Sequence, residues 1–121
     1  MPNTTDIFSV LEAWEYGAAM DGRMAHAVND DLDDLMEREL PRIEAMIELA
    51  PSQALMRVTR LFSFVNAASA WLPAILRRLE QWIQRVQALV NALGKKLGAT
   101  GYSIGVSTPG GLSFDLSFPV V

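Results

Sequence analysis

The sequence predicts an α+β fold that is predominantly α: a long helical hairpin or small helical bundle, followed by a C-terminal two-stranded antiparallel β-hairpin. Three observations support this prediction. Acidic residues cluster in the first half, apolar residues recur every three or four positions through the middle, and the period changes to two after Gly98. With 121 residues, half of them hydrophobic, the chain is expected to fold as a single domain, residues 1–121.

Residues 6–50 are predicted to form an acidic helical half. Asp6 or a preceding threonine is suited to cap its first helix. The run Asn29–Asp34 is suited to begin another helix, since carboxylates are favoured at the positive end of the helix dipole. Pro41 lies inside the apolar pattern that follows, so we expect a kink or a fresh turn there. This half holds twelve carboxylates and three arginines, a net charge of −9.

Residues 52–97 are predicted to form one long basic amphipathic helix, kinked near Pro73. Its spacing of apolar residues is close to the heptad repeat of a coiled coil. Residues 51–121 carry seven basic and two acidic side chains, a net charge of +5, so we expect the acidic half to pack beside them. The apolar seam comprises Leu55, Val58, Phe62, Val65, Ser69, Leu72, Leu76, Leu79, Ile83, Val86, Val90 and Leu93.

Residues 101–119 are predicted to form the β-hairpin. Opposite residues of an antiparallel pair share a face, so only a loop with an odd number of residues keeps the apolar side chains together. A three-residue loop, Pro109–Gly111, would pair Val106 with Phe114, Ile104 with Leu116, and Tyr102 with Phe118. One wholly apolar face would result, which needs cover from the helices or from a partner.

No motif for catalysis withstands inspection, so we expect no catalytic residue, no metal ligand and no cofactor. Residues 101–105 match G-x-S-x-G, but Ser103 falls in a predicted strand with no helix after it. His26 is the single histidine, and the chain has no cysteine to complete a metal site. The aspartates of Asn29–Asp34 lack the spacing of a calcium loop.

The leading functional hypothesis is a non-enzymatic protein–protein interaction or self-assembly module that homo-oligomerises through the helical seam, the hairpin or both. Its partner would be itself or another protein. Nucleic acid is disfavoured, because the basic residues are spread along the helix without interleaved exposed aromatic residues. The candidate interface residues are Tyr102, Ile104, Val106, Leu112, Phe114, Leu116, Phe118, Leu72, Leu79, Trp82, Ile83 and Val86.

Two alternatives belong to other functional classes. Residues 61–76 carry no charge, which leaves open a membrane-associated or membrane-active protein that uses residues 61–93. The carboxylates of Asp30–Glu39 leave open a metal-dependent enzyme. The absence of cysteine and of a secretory signal pattern leads us to expect a cytoplasmic protein.

Overall fold

The computed structural model describes residues 6–99, 101–107 and 111–117, with side chains described for residues 6–99. A 3-10 turn, Glu80–Trp82, lies between the last two helices. The α-helices are α1 (Ile7–Glu15), α2 (Gly22–Asp30), α3 (Leu32–Leu49), α4 (Pro51–Trp71), α5 (Ala74–Leu79) and α6 (Ile83–Leu97), and the strands are β1 (Gly101–Ser107) and β2 (Gly111–Ser117).

Aspartate side chains cap the first two helices. The carboxylate of Asp6 accepts a hydrogen bond from the Phe8 N–H at 3.2 Å, and that of Asp21 accepts one from the Met24 N–H at 2.8 Å. Each satisfies a backbone donor that has no partner within its own helix. α6 ends at Leu97 and is capped by Gly98, whose φ of +79° is the left-handed conformation that glycine adopts without strain.

Pro41 does not divide α3, which continues from Leu32 to Leu49. Leu40, directly before the proline, and Ile43, two residues after it, are buried in the bundle. Burial of this apolar face against α4 and α6 outweighs the backbone hydrogen bond that a proline cannot donate.

The predicted long helix is split at Leu72 and Pro73 into α4 and the α5–α6 arm. Leu72 is extended, with φ −133° and ψ 85°, because a residue before proline is disfavoured in the helical region. The arm folds back so that α6 packs against both α3 and α4. The part of the apolar seam on α4 therefore faces the part on the α5–α6 arm within one chain.

The predicted α+β class is wrong: the body of the molecule is a helical bundle, and residues 6–99 contain no strand. Every buried apolar side chain of this region belongs to a helix or to the 3-10 turn. An α+β fold needs a sheet that forms a layer of the core, and the helices of this bundle bury their apolar faces on one another. The core includes Phe64, Leu32, Leu35, Met36, Leu40, Ile43, Ile75, Leu79, Val90 and Leu93.

The C-terminal backbone also departs from the predicted pairing. β1 and β2 are antiparallel, with Val106 opposite Leu112 and Ile104 opposite Phe114, two residues from the predicted register. The ladder closes on Ser107 and Gly111, so the connection begins one residue earlier than predicted. The predicted apolar face concerns side chains outside the described residues, and the hairpin is not supported as a second structural layer.

Ion pairs join the two halves of the chain, which confirms that the acidic half packs beside the basic one. They connect α3 to each helix that follows it, with nitrogen–oxygen distances from 2.7 to 3.8 Å. Most are exposed and contribute little stability individually. The pairs are Glu39–Arg57, Asp33–Arg78, Glu44–Arg85 and Glu48–Lys96.

Candidate functional site

The most unusual polar group of the described chain is Glu39, a carboxylate only 1% exposed in the middle of α3. Arg57 of α4 binds it with two nitrogens, Nε at 3.0 Å from Oε2 and Nη2 at 3.4 Å from Oε1. Arg42, one turn along α3, brings Nη1 to 3.6 Å from the same carboxylate. A buried carboxylate needs such partners, so this pair fixes α4 against α3.

Two open clefts meet at Arg57, and Glu15 of α1 lines both of them. Together they form a continuous surface over α1, α3 and α4, which we call the Arg57 face. One cleft is lined by Phe8, Leu11, Glu12, Glu15, Tyr16, Glu39, Arg42 and Arg57. The other is lined by Glu15, Met46, Gln53, Met56, Arg57 and Arg60.

Two large apolar side chains project from the Arg57 face. Tyr16, which ends α1, is 84% exposed, and Met56 of α4 is 56% exposed. Gly17 follows Tyr16 with φ +98°, a left-handed turn that leads the chain away from α1. Neither residue is needed to fill the core, so their exposure leaves apolar surface available for contact with another molecule.

Charges of both signs lie on this face. Glu15 and Arg60 line the same cleft and are exposed. Among the described side chains, neither has an ion-pair partner within the chain. The face therefore presents an acidic and a basic group for intermolecular pairing.

The structure places the predicted helical interface residues mostly inside the bundle. Leu79, Trp82 and Val86 are buried, whereas Leu72 and Ile83 are half-buried. The Trp82 indole N–H donates to Asp33 at 3.1 Å, an internal hydrogen bond between the 3-10 turn and α3. The helical seam is thus largely covered by the chain's own helices, and an intermolecular role for it stays a prediction.

The other predicted interface residues belong to the C-terminal segment. Their side chains lie outside the described residues, so an interface there also stays a prediction. They are Tyr102, Ile104, Val106, Leu112, Phe114, Leu116 and Phe118.

The acidic segment Asp30–Glu39 does not gather into a metal site. Within the described region, no group of three or more histidine, cysteine or carboxylate side chains is placed to hold a metal ion. Asp33 pairs with Arg78 of α5, Asp34 with Arg38 one turn along α3, and Glu39 with Arg57. These three carboxylates bind arginines of three different parts of the chain.

The uncharged stretch 61–76 is divided between α4 and α5. No helix among the described residues combines the length and apolar character that crossing a bilayer requires. Within the bundle, Leu61, Phe64, Val65 and Ala68 of this stretch form part of the core.

Comparison with known proteins gave no match to a family model, a curated protein or a solved structure. The geometry described above is therefore the only basis for assigning a function.

The burial of Glu39 was not predicted from the sequence, although the sequence contains a signal for it. Glu39 lies four residues after Leu35 and four before Ile43, which places it on the apolar face of α3.

Proposed function

We propose that this chain is a non-enzymatic protein–protein interaction module that self-associates through the Arg57 face. The observation that carries the proposal is the exposure of Tyr16 and Met56 beside two clefts that share Arg57. Tyrosine, methionine and arginine are enriched at the centres of protein interfaces. Together they give this face the composition of a contact surface.

The charges of the face favour a second copy as the partner. In a two-fold symmetric dimer, each contact between two residues occurs twice, once in each direction. Glu15 of one copy then pairs with Arg60 of the other, and the reverse pair forms at the same time. A single face that carries both signs is complementary to itself.

The buried ion pair supports the same proposal through rigidity. Because Arg57 donates to the Glu39 carboxylate with two nitrogens, the guanidinium is held in place before any partner binds. A group that is already ordered loses little entropy on association. The guanidinium is therefore preorganised, while the exposed side chains of Tyr16 and Met56 beside it supply apolar area.

The test is the mass of the protein in solution by light scattering over a range of concentrations. We expect a mass above the 13.3 kDa of one chain, falling toward it on dilution. Tyr16→Ala is expected to weaken association about tenfold or more, because a central interface aromatic contributes about 2 kcal/mol.

Leu49→Ala is the matched control. Leu49 is 89% exposed at the end of α3, yet it lines neither cleft. Its replacement should leave the mass unchanged. A wild-type protein that stays at 13.3 kDa at every concentration would contradict the proposal. Equal weakening by Leu49→Ala would show instead that any exposed apolar side chain contributes.

A further inference from the structure

The opposite end of α4 carries a different exposed surface. Trp71, the last residue of α4, is 55% exposed. It lies 14 positions after Arg57, about 21 Å along the helix axis. Exposed Ala70, Pro73 and Ala74 and half-buried Leu72 surround it in the turn to α5. We call this turn, residues 70–74, the Trp71 tip.

The indole ring of Trp71 is seated against α2. A Cβ built on Gly22 would lie 3.6 Å from Cε3 of the ring, so the ring packs on the glycine backbone. Beside Gly22, a largely apolar groove opens between α1 and α2, lined in part by Val10, Ala13 and Met24. The tip therefore contacts α2 at Gly22, and the next two residues of α2, Arg23 and Met24, line the groove.

Cations flank this apolar surface. Arg23 follows Gly22 and lines the groove, and Arg77 lies one turn into α5; both are exposed. Arg78 is already bound to Asp33, and the nearby carboxylate of Asp21 caps α2 through the Met24 N–H. Arg23 and Arg77 have no ion-pair partner among the described residues.

We propose that the Trp71 tip docks on the surface of an anionic lipid bilayer. Tryptophan is enriched at the boundary between headgroups and acyl chains, where its ring is apolar and its N–H stays near water. Arginines beside it are attracted to anionic headgroups. The occupant is a membrane surface and not a membrane interior, because no described helix is fit to span one. This goes beyond self-association, which uses the other end of α4.

The test is sedimentation of the intact protein with vesicles of phosphatidylcholine and phosphatidylserine, and with vesicles of phosphatidylcholine alone. We expect binding to the anionic vesicles, weakened by added salt. Arg23→Gln and Arg77→Gln should each lower the partition coefficient roughly fivefold, since one arginine near an anionic surface contributes about 1 kcal/mol. Trp71→Ala should lower it on both vesicle types.

Leu49→Ala is the control, because Leu49 is more exposed than Trp71 but lies at the end of α3, outside both the Trp71 tip and the Arg57 face. It should bind vesicles like the wild-type protein. Absence of wild-type binding, or a Trp71→Ala variant that binds equally well, would overturn the proposal. Circular dichroism of each variant establishes that the bundle is intact. Self-association is read from the mass without lipid, so either proposal fails independently of the other.

Discussion

The two ends of α4 carry different exposed surfaces. Near its start, Arg57 lies over a buried carboxylate, and the exposed apolar groups Tyr16 and Met56 stand among charges of both signs. Toward its C-terminus, no charged residue occurs from residue 61 to residue 76, and the exposed Trp71 packs against Gly22. One helix thus presents a face with charges of both signs at one end and an apolar tip with cationic neighbours at the other.

The difference is the basis for proposing two kinds of partner for one helix. The Arg57 face has directional charges, which suit a protein surface with a matching arrangement. The Trp71 tip combines an exposed aromatic ring with two exposed arginines nearby, which suits a layer of anionic headgroups. Substitutions should therefore act locally, each disturbing one end and leaving the other intact.

The largest effect on stability is expected for Arg57→Met. Glu39 would stay buried with only Arg42 near it, and breaking a buried ion pair costs about 3 kcal/mol or more. The free energy of unfolding in urea, at one fixed protein concentration, measures the loss. Vesicle binding at the Trp71 tip should be unchanged under conditions where the variant is folded.

The double variant Glu39→Leu with Arg57→Met separates a buried charge from lost packing. With both charged groups replaced by apolar ones, most of the lost stability should return. A double variant as unstable as Arg57→Met alone would mean that the arginine acts through its contacts with other residues.

A smaller effect distinguishes two glycines. Gly22→Ala should be neutral or raise the free energy of unfolding by about 0.5 kcal/mol. The new Cβ makes ordinary van der Waals contact with Trp71, and alanine lowers the conformational entropy of the unfolded chain. Gly98→Ala should lower it by about 1 kcal/mol, since φ is +79° there. Urea unfolding measures both changes. A marked loss of unfolding free energy in Gly22→Ala would contradict the packing of Trp71 at ordinary contact distance from residue 22.

Much of the helical fold follows from apolar spacing. The seam from Leu55 to Leu93 was predicted from the sequence, and Val58, Val65, Leu79 and Val90 of that seam are buried. A kink near Pro73 was also predicted, and the helix is divided there. The reversal of the chain there was not, because a proline signals an interruption without fixing the direction that follows.

The errors arise where local pattern gives no tertiary information. Alternation after Gly98 favoured an α+β class, but whether two strands become a layer of the core depends on what the helices already bury. The burial of Glu39 was readable from its place on α3. Its pairing with Arg57, 18 residues away, depends on how α3 and α4 pack, which spacing alone does not specify.

The proposed self-association depends on pairing between Glu15 and Arg60 of two copies, and exchange of these charges tests it most directly. Glu15→Arg and Arg60→Glu each place like charges opposite one another in a symmetric dimer, so light scattering should find each variant alone as a monomer of about 13.3 kDa. An equal mixture restores both opposite-charge contacts and should recover the mass of the wild-type assembly. If the mixture stays monomeric while the wild-type protein associates, Glu15 and Arg60 do not pair across the interface and the account is contradicted.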